Sequence, residues 1–185
     1  MSLNKPATAT TVTHHEENEA LVKVLGFWDK YSKPIIYIGS AIILAIAGYF
    51  IYKTFVKEPK ELKAAETIFP AQKLFDKMAS AGFNKDSVNI LLNGGVLEGQ
   101  PVTGLLKIQN SYSGTQAANL AAYMTGAAYL QIKEFDKAIK YLKEFNGHGA
   151  TQVESRAYVM LGHAYAEKKN SDEALNYYKK GASVN

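Results

Sequence analysis

From Pro34 to Tyr52 the chain reads PIIYIGSAIILAIAGYFIY, nineteen residues without a charge. At about 1.5 Å per helical residue this run spans roughly 28 Å, the thickness of one hydrocarbon core. Rings crowd both ends, with Phe27, Trp28 and Tyr31 before the run and Tyr49, Phe50, Tyr52 and Phe55 at or after its end. Aromatic side chains of this kind settle at the headgroup level. Lys33 and Lys53 close the two borders. A buried core helix is the alternative, but core helices are shorter and keep a polar face, whereas this run is apolar all round. Nor does the threonine-rich, acidic stretch before it read as the basic start of a signal peptide. Residues 34–53 are therefore expected to form a single transmembrane helix surrounded by lipid. Within it Ala41, Ala45 and Gly48 fall at i, i+4 and i+7, a small-residue strip on which a neighbouring membrane helix can approach closely.

Residues 1–33 are read as a polar tail that turns amphipathic near Ala20, where Ala20 to Tyr31 suits a short interfacial helix. His14, His15, Glu16 and Glu17 are metal-ligand residue types, yet adjacent positions on a solvated tail hold no fixed coordination geometry. About 130 residues follow Lys53, enough for one domain with its own core. The net charge of +4 is spread out, with no basic stripe, so nucleic acid is not expected as a partner. Cysteine is absent, which removes disulfides, thiol nucleophiles and thiolate metal sites together.

The last seventy or so residues contain an internal repeat. Ala121 to Phe145, AAYMTGAAYLQIKEFDKAIKYLKEF, aligns with Ala157 to Gly181, AYVMLGHAYAEKKNSDEALNYYKKG. Gly126 lies over Gly162, Tyr129 over Tyr165, Ala138 over Ala174 and Leu142 over Tyr178. This resembles the tetratricopeptide repeat, in which a small Gly, a Tyr three residues on and a small Ala in the second helix recur. Glycine inside a helix costs propensity, so a close-packing role is expected for Gly126 and Gly162, with the two tyrosines filling space around the contact. Turns are expected at Ile132 to Phe135 and at Lys168 to Ser171, with Ser171 and Glu173 opening the last helix. Three departures from the repeat pattern stand out. The spacing is 36 rather than 34, which puts two extra residues in the loop at Gly147 to Ala150; Ala122 takes a slot that prefers a large aromatic; and two copies are fewer than the three that such stacks need.

Residues 54–115 are expected to supply a linker and a degenerate third helix pair. Leu62 to Ala81 reads as a helix with Leu62, Ala65, Phe69, Leu74, Phe75 and Met78 apolar, kinked or restarted at Pro70. Thr103 to Tyr112 reads as a second helix, and the glycines between Asn93 and Pro101 mark a loop. The expected fold is all-α: one transmembrane helix, then a small helical-hairpin domain with two tetratricopeptide-like repeats over residues 116–185.

Across the whole chain this arrangement is similar to the YfgM-type ancillary subunits of the SecYEG translocon in the form found in Bacteroidota, most closely over GTQAANLAAYMTGAAYLQIKEFDKAIKYL, Gly114 to Leu142. The resemblance implies a single-pass protein of the bacterial inner membrane, N-terminus cytoplasmic and repeats periplasmic. Its implied partners are SecYEG subunits, a periplasmic chaperone and translocating polypeptides. The flanking lysines, Lys23, Lys30 and Lys33 before the run against Lys53, Lys57, Lys60 and Lys63 after it, do not favour that orientation. Taken at face value they suit an N-anchored import receptor with cytosolic repeats; a generic envelope assembly scaffold is a further alternative.

No enzyme is expected. The chain lacks an H-x-x-x-H or G-x-S-x-G motif, and the Asn93–Gly95 glycines lack the lysine of a phosphate loop, so no catalytic, cofactor or metal residues are assigned. Protein binding is expected on the face lined by the first helix of each pair. There Leu120, Tyr123, Ala127 and Leu130 of the first copy are expected to stand with Arg156, Val159, His163 and Glu167 of the second. Tyr123, Arg156, His163 and Glu167 are the candidate contact residues, through aromatic area and charged hydrogen bonds. The alternative is that the apolar members pack on neighbouring helices and the polar ones are solvated.

Overall fold

The computed structural model describes the backbone of residues 13–184, and the side chains from Val22 onward except those of residues 23, 24 and 29. The side chains of His14, His15, Glu16 and Glu17 lie outside the described ones. The chain forms two compact units, Met1–Thr54 and Phe55–Asn185.

The first unit carries helix α1, Thr13–Tyr52, which runs through Pro34 without a break. Ala20 to Tyr31, read as a short interfacial helix, are helical and continue directly into the apolar run. Proline is tolerated because its missing donor leaves one carbonyl unpaired without ending the ladder on either side. α1 is long and apolar enough to cross a membrane. Its apolar side chains are exposed, among them Ile43 at 67%, Leu44 at 72% and Ile51 at 61%. Ala41, Ala45 and Gly48 are exposed as well, and a Cβ added to Gly48 meets nothing within 4 Å.

A π-helical turn, Lys53–Lys57, follows, and then α2, Glu58–Ala81. The buried face of α2 is Ala64, Ile68, Ala71, Leu74 and Met78. Of the two outcomes expected at Pro70, a kink or a restart, the restart does not occur, since Pro70 lies inside a continuous helix; Leu62 and Phe69 point away from the core, 69% and 55% exposed. The sequence offers two apolar stripes on α2, and packing against α4 and α5 selects the one with smaller residues.

Between α2 and the next predicted helix stand elements that the sequence reading passed over. α3, Lys85–Asn93, is capped by the Asn84 side chain, which accepts from the Ser87 amide at 2.8 Å, and buries Val88, Leu91 and Leu92. Strands β1, Gly95–Leu97, and β2, Gln100–Val102, pair antiparallel with Val96 opposite Pro101. The Asn93–Pro101 loop is therefore a hairpin, and the fold is mostly rather than wholly helical. Glu98 and Gly99 both take positive φ, 51° and 76°, as a two-residue hairpin turn requires. α4, Leu105–Ser111, buries Leu105 and Ile108.

Four helices complete the unit: α5, Gln116–Gln131; α6, Phe135–Glu144; α7, Thr151–Glu167; and α8, Ser171–Ser183. α5 pairs with α6 and α7 with α8, while α2 and α4 pack on α5 from the other side. The larger core lies among α2, α3, α4 and α5, around Leu91, Leu105 and Ile108, and a smaller one forms around Leu142, Ala157 and Leu161.

Candidate protein-binding surfaces

The two hairpins are built alike, at an offset of 36 residues. In the first turn Glu134 donates its amide to the Tyr129 carbonyl at 2.9 Å, and in the second Asn170 donates to Tyr165 at 3.0 Å. Lys133 and Lys169 take left-handed conformations in these turns, φ 64° and 59°. Asn170 caps α8, its side chain accepting from the Glu173 amide at 3.2 Å, so the cap sits one residue before the expected Ser171. Thr115 caps α5 in the same way, accepting from Ala118 at 3.1 Å.

The glycines act where the alignment put them. A Cβ added to Gly126 falls 2.6 Å from Leu142 Cγ, and one added to Gly162 falls 2.5 Å from Tyr178 Cε1. Ala138 and Ala174 are buried on the opposing helices. Beside each contact a pair of tyrosines stacks: Tyr129 on Tyr141 at 5.6 Å and Tyr165 on Tyr177 at 5.4 Å, interplanar angles 17° and 6°. Lys143 of α6 reaches across to the second pair, 5.3 Å from the Tyr165 ring and 5.8 Å from that of Tyr177. The Tyr165 phenol, with Tyr177 beside it, holds the Lys143 ammonium above its ordinary range. This lysine bridge between repeats was not legible in the sequence, because its partners lie more than twenty residues on.

Of the four candidate contact residues, Arg156, His163 and Glu167 are exposed on α7 at i, i+7 and i+11, and Tyr123 stands on α5. Tyr123 is half-buried between the two cores, its ring 5.3 Å from that of Phe145. Burial pushes its phenol up, and the charge of Arg156 partly opposes this. Arg156 is exposed on α7 and is electrostatically coupled to Tyr123. His163 pairs instead with α8, its Nδ1 3.1 Å from the Tyr178 hydroxyl and its ring 5.5 Å from that of Tyr178. Glu167 is exposed at the last turn of α7. The apolar members of that face divide: Ala127 is buried, and Leu120 packs against the larger core.

An open groove of about 1020 Å³ lies elsewhere in the Phe55–Asn185 unit. It is bounded by Lys57 at the end of the π-helical turn, Glu61 in the first turn of α2, the first turns of α5 (Gln116, Asn119, Leu120), Gln109 of α4, and the α6–α7 loop with His148. Leu120 is the one member of the predicted face that reaches it. Its rim is fixed by a reciprocal pair, in which Asn119 Nδ2 donates to the Asn146 carbonyl at 2.7 Å and the Asn146 amide donates to Asn119 Oδ1 at 2.9 Å. Glu61 accepts from the Gln116 amide at 3.0 Å, and so satisfies a donor that the first turn of α5 leaves without an intrahelical partner. The Asn146-Gly147 dipeptide is the one sequence signal that marks this rim as an ordered turn.

No curated protein and no solved structure matches the chain. Residues 155–185, which cover most of α7 and all of α8, match the tetratricopeptide repeat.

Proposed function

We propose that this chain is a membrane-anchored protein-interaction scaffold: α1 spans the bilayer and the helical hairpins bind protein partners. One observation carries the reading. A helix with exposed apolar side chains over its whole central run stands in the same chain as a separately packed unit ending in a tetratricopeptide repeat. Exposed apolar area on that scale is stable in lipid and costly in water. Tetratricopeptide repeats generally mediate protein–protein contact, which favours binding over catalysis.

Within this reading the partners are SecYEG subunits, a periplasmic chaperone and the polypeptides passing between them. The anchor sits in the bacterial inner membrane with the repeats in the periplasm. The resemblance over Gly114 to Leu142 supports this finer assignment. Protease added to intact spheroplasts should digest the repeats and spare residues before Pro34. Crosslinking in native membranes should recover translocon subunits. Repeats protected from protease would instead support the second reading, a cytosolic receptor-like scaffold, which the lysines at 53, 57, 60 and 63 favour. The Ala41, Ala45 and Gly48 strip is proposed to dock on a translocon helix. Ala45→Leu with Gly48→Leu should leave the chain in the membrane and lower its recovery with SecYEG; unchanged recovery would move the contact to the soluble unit.

A further inference from the structure

Asparagine is followed by glycine twice in the chain, at Asn93-Gly94 and at Asn146-Gly147. Such a pair holds an electrophile and a nucleophile side by side: the side-chain amide carbon Cγ and the next backbone nitrogen can close a five-membered ring, with no side chain on the glycine to obstruct it. Both asparagines are exposed, so exposure does not separate them. Their partners do. Asn93 is the last residue of α3; its Nδ2 donates to Asn89 Oδ1 at 2.7 Å, and the Gly94 nitrogen that would attack donates to the Ile90 carbonyl at 2.8 Å. Backbone also closes in on Gly94, where an added Cβ falls 2.9 Å from both the Val102 oxygen and the Gly104 nitrogen.

At Asn146 the reacting groups are unengaged. The residue lies between α6 and α7, outside any helix, and among the described residues neither its Nδ2 nor the Gly147 nitrogen donates to an acceptor. Its Oδ1 accepts from the His148 amide at 2.9 Å. The ring closed by that bond contains both Cγ and the Gly147 nitrogen, so it folds the electrophile back over the nucleophile. The same donor polarises Cγ and steadies the oxygen on which charge develops. The bonds to Asn119 hold only the backbone amide and carbonyl of Asn146.

We propose that Asn146-Gly147 is a self-modifying site, at which Asn146 converts to aspartyl and isoaspartyl forms while Asn93 stays intact. The Gly147 nitrogen gives its proton to water or hydroxide and bonds to Asn146 Cγ. The Cγ–Nδ2 bond breaks, and the nitrogen takes a proton from solvent and leaves as ammonia, which leaves a cyclic imide. Water then adds to one imide carbonyl and breaks its bond to the Gly147 nitrogen. Opening at Cγ gives aspartate. Opening at the backbone carbonyl gives isoaspartate, in which the chain runs through Cγ and the carbonyl that Asn119 holds becomes a free carboxylate. Either product adds a negative charge to the rim of the groove, on a loop that already packs on Glu154: a Cβ on Gly147 would fall 2.6 Å from Glu154 Oε2. The isoaspartyl chain must seat one more carbon where that contact leaves no slack, so the rim loosens.

The test ages the full chain in phosphatidylcholine nanodiscs in mildly alkaline buffer, beside a sample unfolded in guanidinium, and maps both sites by digestion and mass spectrometry. In guanidinium the two dipeptides should convert at rates within about threefold of each other, because local sequence alone then acts. In the folded chain Asn146 should convert at least about tenfold faster than Asn93, which reacts only from locally opened molecules. Asn146→Gln, whose longer side chain would have to close a six-membered ring, should abolish the product at 146 and leave Asn93 unchanged. Isoaspartyl protein separated from the aged sample should lose amide-exchange protection at the start of α7. Equal rates at the two sites in the folded chain, or an Asn146 that stays intact while the guanidinium sample converts, would overturn the proposal. An isoaspartyl form that keeps full protection at α7 would overturn its effect on the rim.

Discussion

Gly162 lies against the ring of Tyr178, and 36 residues earlier Gly126 lies against Leu142; the two contacts are equivalent in the chain but not in how they can yield. Leu142 is 2% exposed and its backbone nitrogen also stands 3.0 Å from an added Cβ on Gly126. Tyr178 presents a partly exposed ring edge that can swing away. Gly126→Ala should therefore destabilise by about 1–2 kcal/mol even after its gain of up to roughly 1 kcal/mol in helix propensity. Gly162→Ala should come out within about 0.5 kcal/mol of the parent, since the two effects offset there. Leucine at either position should cost about 1–3 kcal/mol or more. Denaturant titration of the full chain in detergent reads all four variants; equal losses for the two alanine variants would refute the asymmetry.

Lys133 and Lys169 hold positive φ at the equivalent turn position of each hairpin. A side chain in the left-handed region costs on the order of 1 kcal/mol, and glycine does not incur that cost. Lys133→Gly and Lys169→Gly should each raise stability by up to about 1 kcal/mol, and the double variant reads whether the ion pair between Lys168 and Asp136 couples the two turns. A fall in the unfolding midpoint for either would show that the lysine stem contributes more than the backbone strain costs.

The hairpins were legible because a pattern that recurs at 36 residues tests itself: Gly126 and Gly162 cost helix propensity unless a partner helix comes close, and each does. α3 and the β-hairpin were not legible. Three-residue strands are too short to show alternation, and the glycines at 94, 95 and 99 read equally well as loop. Which face of α2 is buried was not legible, because Leu62 and Phe69 are as regularly spaced as Ala64 and Ile68 and the choice between the two stripes is made by α4 and α5. Sequence places Tyr123 on a helix face, and its packing against Phe145 shows only in the structure.

Four groups in the repeats titrate late. Burial raises the phenols of Tyr123 and Tyr129, the hydrogen bond to Glu154 raises that of Tyr158, and the Tyr165 phenol raises the Lys143 ammonium. Each binds its proton more tightly folded than unfolded. The stability each contributes is thus fully present below its ordinary value, near 10.0 for tyrosine and 10.5 for lysine, and is lost as pH rises through the folded value. The unfolding midpoint should hold steady from neutral pH to about 9.5 and fall above 10. Tyr123→Phe, which keeps the ring against Phe145, should flatten that fall; a slope unchanged in this variant would assign the alkaline loss to other groups.

Pro70 stands inside α2 between two core residues, Ile68 and Ala71, and cannot donate to the Glu66 carbonyl as the helix ladder requires. In a free helix this costs about 3 kcal/mol relative to alanine, but here the neighbouring core holds the helix together across the gap. Pro70→Ala restores the donor and the propensity, and it also frees the unfolded chain, which takes back about 0.4–1 kcal/mol. The net expectation is a gain of about 1–2 kcal/mol, read as a higher denaturant midpoint with an unchanged slope. The opposite result is equally informative. If Pro70→Ala destabilises, a bend fixed by the proline is what seats Ile68 and Leu74 in the core, and the alanine variant should then show weakened hydrogen-exchange protection in both α2 and α5, which pack on each other.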